Sequence, residues 1–225
     1  MTPAHKLRDE PCIAFIADMV KSRELSRSQR PQVQLSFSAF VAELNQKYKK
    51  AIVARFVVTL GDEFQGLLSD ARILPDLLWD MQYKFEMRLL RVGVGYGLID
   101  TEIGRDAINV DGPALHHARE AIDAAKKGKL FGGVFRGFGD AYDPAFNGFS
   151  RLLYYHRSRL KKQQRRVVEL LRQSFTQSAV AEQMGISRQA VSSYAGAAGW
   201  EAYREGESGW RALLAQIAAG VGGPK

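Results

Sequence analysis

The sequence predicts a mixed α+β domain followed by a smaller all-α domain, for three reasons. Strand and helix signals alternate in the first part of the chain, whereas the last third carries helix signals alone. A stretch rich in glycine and phenylalanine, residues 132–149, separates the two parts. At 225 residues, the chain has room for one mid-sized domain and one small domain.

The first domain is predicted to be a sandwich of the ferredoxin type, with helices over one face of a sheet. Its first six elements follow the order strand, helix, strand, strand, helix, strand. Gly61 and Asp62 are expected in the tight turn between the second and third strands. The predicted strands are 13–17, 52–60, 64–68, 91–98 and 130–138, and the predicted helices are 28–48, 71–89 and 113–127.

The domain boundary is predicted near residue 142. Asp143 before Pro144 fits a helix start in which Asp143 is the cap and Pro144 is the first helical residue. One long helix is expected to follow, as far as Leu171. The predicted domains are therefore 1–142 and 143–225.

The composition is that of a globular protein with a buried core, at 46% hydrophobic and 10% aromatic residues. No run of about 18 apolar residues is present, and the first residues lack the basic and apolar segments of a secretion signal. We therefore expect a cytoplasmic protein that does not interact with a membrane. The single cysteine, Cys12, lies in an apolar run and is expected in the core.

The positive charge is concentrated in the second domain. Residues 151–225 hold 12 Lys and Arg against 5 Asp and Glu, whereas residues 1–150 hold 20 against 19. A surplus confined to one segment indicates a polyanionic partner for that segment.

A helix-turn-helix is predicted at about residues 176–198. Ala181 is small enough to let two helices approach, Gly185 suits a turn with positive φ, and Val191 can pack the corner with Ile186. Thr176 and Ser187 can each cap a helix. The segment resembles the helix-turn-helix of bacterial regulators over about 20 residues.

This resemblance implies binding to double-stranded DNA, with the second helix in the major groove. It assigns base contacts to Ser187, Arg188, Gln189, Ser192 and Ser193. The preceding basic segment offers phosphate contacts from Arg157, Arg159, Lys161, Lys162, Arg165 and Arg166. The alternative is a helical pair that binds another protein, with its charges simply solvated.

Two aspartates lie where strands of the first domain should end. Asp18 follows the first apolar run, and Asp62 lies on the hairpin. Because the first strand and the hairpin are neighbours in a ferredoxin-type sheet, the two carboxylates can come within a few Å of each other. That geometry suits Mg²⁺ and a nucleotide triphosphate. The structural alternative is that Asp62 only makes the turn and Asp18 only caps a loop.

These motifs resemble the class III nucleotidyl cyclases, in Phe15/Asp18/Met19/Ser22, in Gly61/Asp62 and in Arg91/Gly93/Val94/Gly97. Leu60–Phe64 resembles the hairpin of diguanylate cyclases, with Leu60 in place of its first glycine. Over nearly the whole chain the sequence is similar to the SatD family. These resemblances imply Asp18 and Asp62 as metal ligands. They also imply nucleotide contacts from Met19, Ser22, Arg23, Gly61, Glu63, Phe64, His116 and Arg119.

Three departures from the cyclase pattern concern the catalytic positions. Val58 replaces the purine-selecting lysine, and His116 replaces an asparagine. Arg119 falls one residue short of the catalytic arginine position, which Glu120 occupies, and one residue turns a helical side chain by about 100°. No catalytic residue is therefore assigned, and metal and phosphate binding is expected rather than cyclisation. His116 and His117 should point in different directions, since they are adjacent on a helix.

The leading hypothesis is a DNA-binding transcriptional regulator whose cyclase-like domain binds a nucleotide with Mg²⁺ and forms a homodimer. The alternative is an active nucleotidyl cyclase or nucleotidyltransferase that carries a DNA-binding module. A third hypothesis is that the first domain only dimerises.

Overall fold

The computed structural model describes residues 10–59 and 61–218, so the hairpin residue Leu60 lies outside the described part. Within these ranges the chain forms five strands and eight α-helices. They group into two compact units, Leu152–Trp210 and the remainder. The division at residue 151 falls inside a helix, whereas the sequence predicts a boundary before it. The prediction of a mixed α+β protein is confirmed.

The first unit contains one five-stranded sheet in the order β2-β3-β1-β4-β5. Neighbouring strands are antiparallel except β4 and β5, which are parallel. The strands are β1 (Cys12–Met19), β2 (Ile52–Val58), β3 (Glu63–Leu68), β4 (Leu90–Gly97) and β5 (Val134–Arg136). The helices that accompany them are α1 (Arg30–Lys47), α2 (Leu74–Tyr83) and α3 (Pro113–Gly128).

The helices of the first unit cover both faces of the sheet, so the prediction of helices over one face is wrong. On the α1 face, Phe37 packs against Phe64, which in turn packs against Phe15. The opposite face carries Ala14 and Leu67, and these contact Ala118 of α3. The third helix therefore buries the face that a bare ferredoxin-type sandwich would leave open to solvent.

The packing of α3 on β4 depends on glycine. A Cβ at Gly93 would overlap the carbonyl of Ala118, and a Cβ at Gly95 would overlap the backbone of Ala114 and Ala118. The absence of side chains lets the helix backbone lie directly on the strand. The alternating glycines of β4 thus form the strand surface on which α3 lies.

The start of α4 (Tyr142–Ser158) differs from the prediction. The Asp143 carboxylate accepts hydrogen bonds from the backbone N–H groups of Gly137 at 3.1 Å and Phe138 at 2.9 Å. It therefore holds the preceding loop and does not cap its own helix. Two other predicted elements are shorter than expected, since α2 ends at Tyr83 and β5 spans only three residues.

The predicted long helix is interrupted. It consists of α4 and α5 (Lys162–Arg172), because Lys161 has an extended backbone and its N–H donates to Gln164 Oε1 at 2.8 Å. The second unit continues with α6 (Gln177–Met184), α7 (Arg188–Ala197) and the first half of α8 (Trp200–Ala218). Its core includes Val167, Leu170, Val180 and Val191, from α5, α6 and α7.

The connection between α6 and α7 has the local geometry that the sequence predicts. The hydroxyls of Thr176 and Ser187 accept hydrogen bonds from Ala179 N at 3.2 Å and Ala190 N at 3.1 Å. Gly185 ends α6 with φ of 65°, which glycine adopts without strain. The short turn therefore brings the two helices against each other through Ala181 and Val191.

Two further predictions concern the core and membranes. Cys12 is a core residue, and burial raises the pKa of its thiol to about 12, so it is chemically inert in the native state. Across residues 10–59 and 61–218, no helix combines the length and apolar character needed to span a bilayer.

The contact between α3 and β4 predicts that Gly95→Ala is strongly destabilising. The added Cβ overlaps helix backbone, which cannot rotate away, so we expect the free energy of unfolding to fall by about 1–3 kcal/mol or more. Gly148→Ala is the matched control, since a Cβ there meets nothing within 4 Å in the middle of α4. That variant should be more stable by about 0.5–1 kcal/mol. Urea unfolding measures both, and equal stabilities would contradict the packing argument.

Candidate functional site

The sheet brings the two predicted aspartates to one end of β1. Asp18 is paired with Glu63 on β3 and with Arg91 on β4. Asp62 directly precedes Glu63, and its carbonyl accepts a hydrogen bond from Met19 N at 2.8 Å. The Ser22 hydroxyl donates to the Asp62 carboxylate, so Ser22 holds this side chain at the hairpin. The predicted neighbourhood of Asp18 and Asp62 is thus present.

Two cationic side chains of α3 lie over this end of the sheet. Arg119 binds Glu63 through both nitrogens, Nη1 to Oε2 at 2.8 Å and Nη2 to Oε1 at 2.9 Å. Lys126 Nζ lies 3.1 Å from Asp18 Oδ1 and 3.6 Å from Glu63 Oε2. We call Asp18, Asp62, Glu63, Arg119 and Lys126 the β1-end cluster.

Exposure divides the β1-end cluster into an inner and an outer layer. The side chain of Glu63 is 3% exposed and that of Asp18 is 15% exposed, whereas Arg119 and Lys126 are 45% and 36% exposed. The carboxylates of Glu63 and Asp18 therefore lie beneath, and the two cationic groups lie between them and solvent. A charged ligand that approaches from solvent meets Arg119 and Lys126 first.

The electrostatics of Asp18 follow from this arrangement. Burial raises the pKa of its carboxyl, the Lys126 ammonium lowers it, and the carboxylates of Asp62 and Glu63 raise it further. The Glu63 carboxylate raises the pKa of Arg119, whose charge is thereby stabilised. Asp18 consequently favours a cation beside it, and Lys126 supplies one.

The carboxylates at the β1 end provide some of the oxygen ligands that a hard cation needs. Asp18 and Asp62 provide carboxylate oxygens, the ligands that Mg²⁺ prefers. Within the described ranges, no group of three or more His, Cys, Asp or Glu side chains could hold a metal ion by itself. Water and phosphate oxygens would have to complete the coordination, as is usual for Mg²⁺.

Two predicted nucleotide contacts are corrected by burial. Phe64 has no exposed surface and packs in the aromatic core on the α1 face, with its ring centroid 5.5 Å from that of Phe56. Met19 is also buried. Because strand side chains alternate between faces, both side chains point away from the face that carries Asp18 and Glu63. Their side chains belong to the core and are not available to a nucleotide.

The remaining predicted nucleotide contacts occupy different places. Gly61 makes the hairpin turn with φ of 77°, and Arg23 is exposed in the 3₁₀ turn Ser22–Glu24. His116 lies at the start of α3, where its Nε2 is 2.8 Å from Asp111 Oδ1. His117 turns the other way, with Nδ1 2.8 Å from the carbonyl of Tyr96, as expected for adjacent helical residues.

Lys126 and Arg91 were not singled out for this site from the sequence. Lys126 is seven residues after Arg119, two helical turns away on the same face, so the spacing carries the signal. Arg91 lies across from Asp18, and its guanidinium carbon is 5.7 Å from the centroid of the Phe131 ring. Its Nε is buried and has no hydrogen-bond partner within the described ranges.

In the second unit, α7 has one buried and one polar face. Val191 and Ala195 are buried in the core, whereas the opposite face is exposed. That exposed face carries all of the predicted base-contacting residues: Ser187, Arg188, Gln189, Ser192 and Ser193. The two longest side chains, Arg188 and Gln189, stand at the N-terminal end of the helix.

The predicted phosphate-contacting residues are mostly at the surface. Arg159, Lys161, Lys162 and Arg166 are exposed, and Arg165 is partly buried. Arg159 donates to the Tyr155 hydroxyl at 3.0 Å, and Arg166 pairs with Glu169 at 3.0 Å.

Arg157 is the exception, since it is only 1% exposed, so the prediction of a phosphate contact from Arg157 is wrong. It lies on the buried side of α4, near Tyr203. Burial raises the pKa of this tyrosine to about 12, and Arg157 opposes the rise.

The ion pair between Glu63 and Arg119 predicts that Glu63→Gln destabilises the first unit. The substitution removes a charge-assisted bidentate contact, and solvent already screens part of it because Arg119 is nearly half exposed. We expect a loss of about 1–2 kcal/mol in urea unfolding. Glu120→Gln, at an exposed neighbouring position on α3, is the control and should change stability little. A comparable loss in both variants would show that the ion pair contributes nothing.

Comparison with known proteins identifies a family. No curated protein sequence matches the chain. Among solved structures, it is similar to a bacterial light-regulated adenylyl cyclase, with 11% identity and a TM-score of 0.38 over 52% of this chain and 40% of that one. The chain therefore spans less than half the length of that structure. The model of the SatD family matches residues 12–208, which is most of both units, and the chain belongs to the SatD family.

Proposed function

We propose that this SatD-family protein is a DNA-binding transcriptional regulator, and that the exposed polar face of α7 reads the major groove. The observation that carries this proposal is the division of α7 between a face packed in a helical core and a face of polar side chains. A helix anchored on one side and polar on the other is the usual element for entering a major groove. The capped turn before α7 fixes its orientation on α6.

The exposed polar residues of α7 each have a chemical role in this proposal. Arg188 can donate two hydrogen bonds to guanine, and Gln189 can pair with adenine in bidentate fashion. Ser192 and Ser193 are short, so they allow the helix to approach the base edges closely. Serine hydroxyls can both donate and accept hydrogen bonds, so they add little preference of their own.

The basic residues before α6 supply affinity without sequence preference. Lys161 and Lys162 are exposed at the start of α5, and Arg159 is held in place on the Tyr155 ring. Contacts from such groups to phosphate oxygens orient a protein on the duplex and make binding sensitive to salt. The concentration of positive charge in residues 151–225 agrees with this role.

For the first unit, we propose that the β1-end cluster binds a nucleotide together with Mg²⁺. Asp18 and Asp62 would hold the metal, and the outer cations Arg119 and Lys126 would face the phosphates. The strand order β2-β3-β1-β4, with antiparallel pairing, agrees with the cyclase-like sandwich that the sequence motifs indicate. The added helix α3 supplies the cationic side chains. The carboxylate of Asp62 is only partly available to a metal ion, because the Ser22 hydroxyl already donates a hydrogen bond to it.

The geometry of the β1-end cluster suits binding of a nucleotide better than catalysis on it. Both terminal nitrogens of Arg119 are held by Glu63, so this side chain is restrained from following charge that develops on a reacting phosphate. An active cyclase or nucleotidyltransferase is the alternative proposal, and pyrophosphate release from ATP or GTP would favour it.

Regulation requires that the ligand distinguish two states of the protein. We propose a homodimer in which nucleotide binding favours one arrangement of the two α7 helices, since helix-turn-helix dimers read paired half-sites. A ligand shifts this equilibrium only by the difference between its affinities for the two arrangements.

Selection from a random duplex library tests the DNA-binding proposal. The full-length protein should enrich a two-half-site consensus, and Arg188→Ala should weaken binding to it by about 1–3 kcal/mol and relax one base position. Lys162→Ala should weaken all duplexes alike and reduce the salt slope by about one. Lys50→Ala, at an exposed position of the first unit, is the charge-matched control. If no duplex binds at 50 mM salt, or if Arg188→Ala leaves the consensus unchanged, reading by α7 is ruled out.

Calorimetry tests the nucleotide proposal. Titration of ATP, GTP and cyclic nucleotides in the presence of Mg²⁺ should reveal binding that Asp18→Asn and Asp62→Asn each weaken, because each variant removes a carboxylate ligand. Asp100→Asn removes an exposed carboxylate elsewhere in the same unit and should bind as the wild type does. If no nucleotide produces a heat of binding, the proposal of nucleotide sensing fails. The proposal of DNA binding is not affected by that result.

A further inference from the structure

The ammonium group of Lys126 lies between two carboxylates of adjacent strands. Its Nζ is 3.1 Å from Asp18 Oδ1 and 3.6 Å from Glu63 Oε2, and these two residues are direct partners in the pairing of β1 and β3. The ammonium therefore takes the position of the cation that such a carboxylate pair requires.

The two cations of the cluster differ in how firmly they are held. Arg119 makes two hydrogen bonds to Glu63 in a planar fork, and leaving would break both. Lys126 is a point charge on a flexible four-carbon stem, and its ammonium can move to another acceptor by rotation of that stem. Its exposed fraction of 36% leaves it a path to solvent. Lys126 is thus the exchangeable cation of the cluster, and Arg119 is the fixed one.

We infer that Lys126 is an internal competitor for the divalent cation at Asp18. A metal ion binds Asp18 well only when the ammonium leaves, because two cations at the same carboxylate repel each other strongly at this distance. The phosphate groups of a nucleotide provide the acceptor to which Lys126 moves. This inference rests on the proposed nucleotide site. At that site a metal ion would bind weakly by itself and more tightly together with a nucleotide.

The balance of charges supports a conditional site. The β1-end cluster contains three carboxylates and two cationic side chains, so a divalent ion added to it leaves an excess of positive charge. The negative phosphate groups of a nucleotide beside the ion offset this positive charge. Metal and nucleotide should therefore bind with positive coupling, and the coupling must be the same whichever ligand binds first. Removal of the Lys126 charge should strengthen binding of the metal alone and reduce the coupling.

The experiment measures Mn²⁺ affinity of the full-length protein by electron paramagnetic resonance of the free ion. Titrations are made without nucleotide and with the non-hydrolysable analogue adenylyl-imidodiphosphate. Lys126→Gln and Lys126→Met should bind Mn²⁺ alone about tenfold more tightly than the wild type, within the usual range of coupling between sites. The added affinity should disappear when Asp18→Asn is combined with either variant.

Two further variants serve as controls. Lys126→Arg keeps the positive charge and should bind Mn²⁺ as weakly as the wild type. Lys127→Gln removes the adjacent exposed charge and should also leave the affinity unchanged. Lys126→Met keeps the apolar part of the stem, so it tests the inference if Lys126→Gln proves poorly folded by circular dichroism.

The outcomes separate this inference from the proposed function. If Lys126→Gln and Lys126→Met bind Mn²⁺ no more tightly than Lys127→Gln, competition by Lys126 is refuted, and nucleotide binding by the wild type would stand by itself. If both bind Mn²⁺ more tightly at Asp18 while the analogue does not bind at all, the competition is supported and the nucleotide proposal fails.

Discussion

The contact between α3 and β4 is the constraint on which the rest of the first unit depends. Because Gly93 and Gly95 carry no side chains, the backbone of α3 lies directly on the strand, with Ala118 against the sheet. This close approach sets both the height and the rotation of the helix. Arg119 follows Ala118 directly, so it projects beside the contact line, and Lys126 follows on the same face two turns later. With a bulkier strand the helix would stand farther away, and neither cation would reach Glu63 or Asp18 in this geometry.

The β1-end cluster illustrates how a fold can hold several acidic groups close together. Three carboxylates at one end of a sheet would repel one another if nothing were placed over them. Here Arg119 and Lys126 neutralise two of them, and the hydroxyl of Ser22 binds the third. The carboxylates are therefore compensated without a metal, and in the function we propose ligand binding is an exchange of partners.

Residue patterns predicted the sheet and the α6–α7 turn well, because both depend on local chemistry. The apolar run before Asp18, the alternating glycines of β4 and the caps Thr176 and Ser187 each have one dominant physical explanation. The errors arose where tertiary contacts decide. Asp143 has the sequence of a helix cap, but its carboxylate accepts hydrogen bonds from N–H groups of the loop that directly precedes the helix. Phe64 lies inside a cyclase-like motif, yet strand alternation turns it into the core. Lys126 was missed for the corresponding reason, since its spacing from Arg119 places it on the same helix face but does not indicate a carboxylate partner more than 60 residues away in the chain.

The same physical arrangement recurs in the helix that we propose reads DNA. A polar face is useful for recognition only if its position is fixed, and position is fixed by what the opposite face contacts. In α3 this contact is between alanine and glycine backbone, and in α7 it is between Val191 and Ala195 and a core that includes Ala181 of α6. Small side chains at both contacts leave few alternative rotamers and little room for the helices to shift. The side chains that we propose meet a ligand by moving, Lys126 in one unit and Arg188 and Gln189 in the other, are long and polar and can therefore adjust their position. The small residues at these two contacts thus fix the positions of the helices, and enlarging Gly93, Gly95 or Ala181 should displace the polar face that each helix carries.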